Sequence, residues 1–232
     1  MHILAFDTCL DGVSVAVARA DPAGTRLLWE ASERRRVGHA ERLMPMIIAA
    51  LAGAGVGFAD LGRIAATCGP GSFTGVRTGI AAARALALAI GCPAVGVGCL
   101  AAIACGARAE LGEASAGRPL AVALDARLGM VYFQLFDATG EARGAPLLLA
   151  PQACAEVLGS AAAIVVGSGA AAVVEERLAA GLEARLPEVE PRASVVALLA
   201  AEAAAGQPLK PLYLRAPDAK PQADRVLPRA LS

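Results

Sequence analysis

Aromatic side chains are scarce, only 3% of the 232 residues, which argues against the stacking platforms that bind single-stranded nucleic acid. Net charge is zero and the pI is near 6.7. The overall balance therefore draws the chain to neither nucleic acid nor anionic lipid, and any RNA contact needs a local patch. Histidine is almost missing: His2 and His39 form no H-x-x-x-H or H-E-x-x-H pair, so zinc coordination is a poor fit. The six cysteines, Cys9, Cys68, Cys92, Cys99, Cys105 and Cys154, show no C-x-x-C spacing and lie mostly inside apolar runs. They read as small buried hydrophobes in a reducing compartment. Asp7 interrupts the apolar N-terminus before it reaches signal-peptide length. The uncharged stretch 85–107 is long enough to span a bilayer, but Gly91-Cys92-Pro93 breaks it into a helix end and a strand. A soluble cytoplasmic protein without a membrane contact is expected.

Apolar residues make up 56% of the chain, dominated by Ala and Gly, which suggests helices packed closely on a sheet. The organising stretch is Gly69-Pro70-Gly71-Ser72-Phe73-Thr74-Gly75, between the apolar run 63–68 and an Ala-rich helical pattern over 76–90. That order predicts strand, tight loop, helix, with Ser72 or Thr74 as the cap. Two readings stay open. The loop N–H groups and Arg77 can form an anion site at the helix N-terminus, or the glycines only turn the chain and let the helix approach the sheet. No Lys-Ser/Thr pair follows the last glycine, so it is not a P-loop.

Residues 3–6 and 13–18 predict a hairpin with Asp7 at the tip of its first strand, followed by a strand over 27–31. The basic run Arg34-Arg35-Arg36 reads as a solvated edge. In the helix predicted over 40–51, Leu43, Ile47 and Leu51 line one face, and Pro45 must lie near the start or bend it. This helix and the one over 74–90 carry more apolar residues than one buried face requires. Burial within the chain or against a partner chain accounts for that excess. A strand over 94–98 and a helix over 100–108 follow. The pattern of apolar strand, aspartate, glycine and apolar strand then recurs at residues 120–136 with Asp125, Arg127 and Gly129. We read this as a duplicated domain. A strand and glycine turn at 164–169, a helix over 194–205 and the run Pro211-Leu212-Tyr213-Leu214-Arg215 complete the chain. Two hairpin-led α/β halves, each with a strand-tip aspartate, resemble the actin, heat-shock ATPase and sugar-kinase (ASKHA) superfold. The lobes are expected at 1–104, with 207–225 packing back on it, and at 105–206, with 226–232 a disordered tail.

Phe6-Asp7-Thr8, the run 39–45 (His-Ala-Glu-Arg-Leu-Met-Pro), the G-P-G-S-F-T-G-V-R-T-G string, Asp125-Ala126-Arg127 through Tyr132, and Pro211 to Arg215 occur in order. Together they resemble the bacterial TsaB (YeaZ) family over nearly the whole chain. The resemblance implies a non-catalytic subunit of the complex that transfers a threonylcarbamoyl group to N6 of adenosine 37 in tRNAs reading codons that begin with A. It implies a helical interface with the catalytic paralogue TsaD, recruitment of the ATPase TsaE, a possible homodimer when alone, and tRNA contact only through the complex. The expected partner interface is His39, Arg42, Leu43, Met46, Ala50, Arg77, Ile80, Ala81 and Arg84, with Met46, Ala50, Ala81 and Arg84 facing outward. The paralogue's paired metal-binding histidines have no counterpart beside His39. Asp7, Thr8, Gly71, Ser72, Thr74, Asp125, Arg127, Gly167 and Gly169 form a vestigial nucleotide or anion site. No metal or cofactor is expected beyond weak ATP or ADP contact. The alternative is a free-standing ATP-dependent small-molecule kinase or ATPase of the same superfold.

Overall fold

The computed structural model describes residues 1–159, 162–176, 181–204 and 209–215. Its first sheet contains β1 (His2–Asp7), β2 (Gly12–Asp21), β3 (Gly24–Arg34), β4 (Leu61–Thr67) and β5 (Ala94–Val97), in the order β3-β2-β1-β4-β5. The second contains β6 (Leu120–Asp125), β7 (Val131–Phe136), β8 (Leu147–Leu149), β9 (Ile164–Val166) and β10 (Glu183–Arg185), in the order β10-β9-β6-β7-β8. In both, the first strand pairs antiparallel with the second and parallel with the fourth. One supersecondary unit thus occurs twice, as the recurring strand-aspartate pattern predicts. Asp7 and Asp125 each close the first strand of their sheet.

Successive side chains of a strand point to opposite faces. Leu4 and Phe6 join the core containing α1 (His39–Ala54) and α2 (Phe73–Ile90), while Ile3 and Ala5 pack with α6 (Ala193–Glu202). In the second sheet Val122 and Leu124 join the core shared with α3 (Cys99–Leu111). Ala121 and Ala123 meet α4 (Pro151–Leu158) and α5 (Ala170–Glu175). Strand β8, helix α4 and strand β10 fall where the sequence suggested no element; each is eight residues or shorter, too short for a clear period.

The expected lobe boundary at 104/105 falls inside α3 (Cys99–Leu111). Residues 105–206 were expected to form the second lobe, yet α6 lies against all five strands of the first sheet. Its sequence is apolar on nearly every side, so it gives no sign of which sheet the helix covers. The proposed tail at 226–232, and most of the returning segment 207–225, lie outside the described residues.

In α1 the buried positions are Leu43, Met46, Ile47, Ala50 and Leu51. This is the i, i+3, i+4, i+7, i+8 stripe of a helix resting on a sheet, wider than the single line Leu43, Ile47, Leu51. Met46 and Ala50 therefore face inward, against expectation. Pro45 lies in the second turn, not at the start, on the exposed side of the helix. Ser72 caps α2, its Oγ accepting from the Gly75 amide at 3.4 Å. Helix α2 is the one described helix long and apolar enough to cross a membrane, but Val76, Gly79, Ile80, Ala83 and Ala87 are buried where it packs on β4 and β5.

The glycines of the loop set how closely α2 approaches the sheet. A Cβ on Gly75 would fall on the Thr8 carbonyl, well inside van der Waals contact, whereas one on Gly106 in α3 would meet Val195 Cγ2 at an ordinary 3.5 Å. Gly75→Ala is expected to destabilise the fold by about 1–3 kcal/mol or more by overpacking. Gly106→Ala should stabilise it by roughly 0.5–1 kcal/mol through helix propensity. Urea denaturation of the two variants checks both signs.

Candidate functional site

Where β1 ends, the chain packs onto the first turn of α2. Thr8 Oγ1 donates to the Gly75 carbonyl at 2.7 Å, and the Ser72 amide donates to the Cys9 carbonyl at 2.7 Å. A Cβ on Gly71 would collide with the Cys9 carbonyl, and one on Gly79 would lie 2.7 Å from Thr8 Oγ1. The space over the glycine loop is therefore filled by the carbonyls of Thr8 and Cys9. Carbonyl oxygens repel an anion, so this geometry follows the close-packing reading of the loop.

Asp7, Thr8, Gly71 and Ser72 are brought together at this point; Thr74 is exposed on the loop's far side. Asp7 is 2% exposed. Its Oδ1 accepts from the Cys9 amide at 3.1 Å and from the Thr67 hydroxyl. Burial pushes its carboxyl up to about 7, against the lowering effect of the hydrogen bonds from Thr67 and Cys9.

The second half repeats the arrangement in a more open form. The Gly169 amide donates to the Ala123 carbonyl at 2.9 Å, and a Cβ on Gly167 would collide with that same carbonyl. The Asp125 amide donates to Ser168 Oγ at 3.0 Å, while Asp125 Oδ1 accepts from the Arg127 amide at 2.7 Å. Asp125 and Arg127 are exposed. Arg127 and Leu128 form the tip of the β6–β7 hairpin with φ of 63° and 53°, the left-handed conformation such a turn needs.

Between the hairpin end of the first sheet and segment 186–192 runs a cleft of about 710 Å³ lined by Asp7, Glu110 and residues 12–14, 30–34 and 186–192. Its lining carries Asp7, Glu30, Glu33, Glu110, Glu188 and Glu190 but only Arg34 and Arg192 in opposition, so it is acidic. The segment 186–192 is fastened across the first sheet. Ser14 Oγ donates to the Pro191 carbonyl at 3.2 Å, Arg34 pairs with Glu188 at 2.8 Å, and Arg192 pairs with Glu30 at 3.1 Å. Burial raises the Glu190 carboxyl, with Asp11 and Glu188 adding to the effect and Arg34 and His39 opposing it. Sequence reasoning missed this segment, because only the fold carries it back to the first sheet. Among the described residues, no group of three or more His, Cys, Asp and Glu side chains is arranged to hold a metal ion.

The outer face of α1 and α2 is the other notable feature. Of the nine residues expected at a partner interface, Leu43, Met46, Ala50 and Ile80 are buried in the core. Arg42 is engaged by Glu33, with Nε 2.7 and 2.9 Å from its two carboxylate oxygens, and His39 Nε2 lies 3.0 Å from the Leu10 carbonyl. Arg77, Ala81 and Arg84 do face outward. They are joined by residues missing from the expected set: Leu88, 86% exposed, and Ile48, 57% exposed, together with Met44. The i, i+4, i+7, i+11 spacing of residues 77, 81, 84 and 88 was the signal that could have found this stripe. Segment 209–215 borders it. The Leu212 amide donates to the Cys68 carbonyl at 2.7 Å, Arg84 Nη2 to the Leu209 carbonyl at 2.6 Å, and Arg77 Nε to Tyr213 Oη at 2.9 Å.

Two topologically equivalent α/β units, each with an aspartate ending its first strand and a glycine turn seated on the next, define a two-lobed protein of the ASKHA type. The family described as TsaD, tRNA N6-adenosine threonylcarbamoyltransferase, matches residues 33–206. YeaZ from Pseudomonas aeruginosa superposes with a TM-score of 0.74 at 30% identity, over 92% of this chain and 99% of that one. The Escherichia coli tRNA threonylcarbamoyladenosine biosynthesis protein TsaB is 40% identical over 57% of this chain and 54% of its own length. An uncharacterized Mycobacterium tuberculosis protein is 38% identical over 95% of both chains. The chain belongs to the TsaB (YeaZ) family.

The position of Asp7 makes stability depend on pH. Unfolded, its carboxyl titrates near 3.8, and folded near 7. Between those values the native state keeps a proton that the unfolded chain has released, so this group's contribution to stability falls as pH rises, by about 1.4 kcal/mol per pH unit. Asp7→Asn removes that contribution. The stability of the variant relative to the parent should rise between pH 4 and pH 7; parallel pH–stability curves from denaturant titrations would contradict the assignment.

Proposed function

We propose that this chain is a non-catalytic subunit of a complex that makes N6-threonylcarbamoyladenosine in tRNA, acting by docking the outer face of α1 and α2 onto a transferase paralogue of the TsaD type. The single observation behind this is the apolar stripe of α2. Ala81, Ala85, Leu88 and Ala89 are exposed on one face of α2, and Ile48 and Met44 are exposed on α1, which packs against it, surface that a lone chain seldom leaves open. The name of the Escherichia coli relative supports the pathway.

In this reading the chain performs no chemistry. The Gly69–Gly75 loop packs directly on the Thr8 and Cys9 carbonyls, and the acidic lining of the cleft beside Asp7 opposes a triphosphate. Both features favour the subunit over a free-standing kinase or ATPase. ATP binds weakly or not at all, a TsaE-type ATPase joins only the assembled pair, and tRNA is met through the complex in the cytoplasm. By covering one face of its partner the chain favours one lobe arrangement there; a preference of a few kcal/mol suffices to shift such an equilibrium.

The deciding experiment is reconstitution from purified components, with modified adenosine in tRNA as the readout. The transferase paralogue should need this chain for full activity; full activity without it would end the proposal. Leu88→Arg and Ala81→Glu should weaken association by tenfold or more, about 1.4 kcal/mol, with an unchanged melting curve. Calorimetry with ATP and magnesium should show no low-micromolar binding to the isolated chain.

A further inference from the structure

Beside the apolar stripe, α2 and segment 209–215 enclose a groove of about 340 Å³ lined by Arg77, Ile80, Ala81, Arg84, Pro211 and Tyr213. It contains two guanidinium groups and no carboxylate, although the chain as a whole is neutral. Among the described residues neither arginine takes part in an ion pair. Both are nevertheless held in place. The Arg77 guanidinium stacks 3.7 Å from the centre of the Phe73 ring, and its Nε is fixed by Tyr213 Oη. Its two terminal nitrogens make no hydrogen bond among the described residues. Arg84 is fixed through Nη2 to the Leu209 carbonyl. A guanidinium oriented before binding loses little freedom when it receives a carboxylate in a bidentate pair.

From this geometry, and resting on the docking role proposed above, we infer that the groove receives acidic side chains of an otherwise apolar helical segment on the docking partner. Arg77 and Arg84 lie seven residues apart, two helical turns or about 10 Å along α2, so carboxylates two turns apart on a helix lying alongside meet both. The groove floor is apolar at Ile80, Ala81 and Pro211 and continues into the stripe ending at Leu88. That surface suits the side chains of a protein segment. A nucleic-acid backbone would leave it wet and unpaired, and the aromatic faces that bases would stack on are already used: Phe73 and Tyr213 lie 4.8 Å apart, centroid to centroid. Acidic residues at this place also set the register of docking, because oppositely charged pairs at an interface edge discriminate partners and orientation more than they add affinity.

The test measures affinity between purified protein and the purified transferase paralogue of the same organism by calorimetry at 50 and 500 mM NaCl. Three forms are compared: the parent, the double variant Arg77→Gln/Arg84→Gln, and Ala81→Glu. If the groove takes carboxylates, parent binding falls about tenfold or more as salt rises, since screening shortens from roughly 14 Å to 4 Å. The double variant should then bind about tenfold or more weaker at low salt and lose most of that salt dependence, with its melting curve kept. A double variant that keeps both affinity and salt dependence, while Ala81→Glu still abolishes binding, overturns the carboxylate inference and leaves the docking role standing. Absence of binding by the parent at either salt overturns both. A parallel titration with unmodified tRNA separates the remaining case: binding by the isolated parent that the double variant loses assigns the groove to phosphate and overturns the inference.

Discussion

The first turn of α2 sits so close to the end of β1 that only glycine fits at positions 71, 75 and 79, and much else in the molecule follows from that contact. It brings Thr8 Oγ1 to the Gly75 carbonyl and the Ser72 amide to the Cys9 carbonyl. Helix α2 is thereby locked flat on β4 and β5, with its apolar outer face left to solvent. The same contact sets the carbonyl oxygens of Thr8 and Cys9 directly against Gly75 and Gly71.

The two halves share a topology without sharing an environment. Asp7 is buried beside Thr67 and is pushed up to about 7, whereas Asp125 stands exposed, its carboxylate accepting from the Arg127 amide of its own hairpin. The difference arises from what covers each sheet. The first is enclosed by α1 and α2 on one face and α6 on the other, and segment 186–192 crosses its hairpin; the second carries the shorter α4 and α5. A buried carboxylate is costly unless it is bonded or protonated, and the first lobe supplies both conditions.

Zero net charge conceals two separate fields. Six carboxyl groups gather in the cleft between the first sheet and segment 186–192, and Arg77 and Arg84 line an outer groove that contains no acidic residue. A neutral chain sorted in this way carries local fields of both signs, and such fields govern recognition more than the total does.

The sequence by itself determined the strand and helix order of the long elements, the duplication, and the glycine loop as the point of organisation. These are local signals: apolar runs, turn residues and a recurring strand-aspartate pattern. It also held the full outer stripe of α2, since residues 77, 81, 84 and 88 recur at helical spacing. Tertiary structure decided the rest. Whether Met46 and Ala50 face in or out depended on how wide a stripe α1 lays on the sheet, and α6, apolar on nearly every side, carried no mark of which sheet it would cover. Whether the glycines cradle an anion or permit contact depended on what the chain returned to place above them. Thr8 and Cys9 lie about sixty residues upstream of the loop they fill, and Tyr213 and Glu190 reach their partners only through the closed fold. Long-range placement of that kind is set by the packing of whole faces, and no local pattern of residues encodes it.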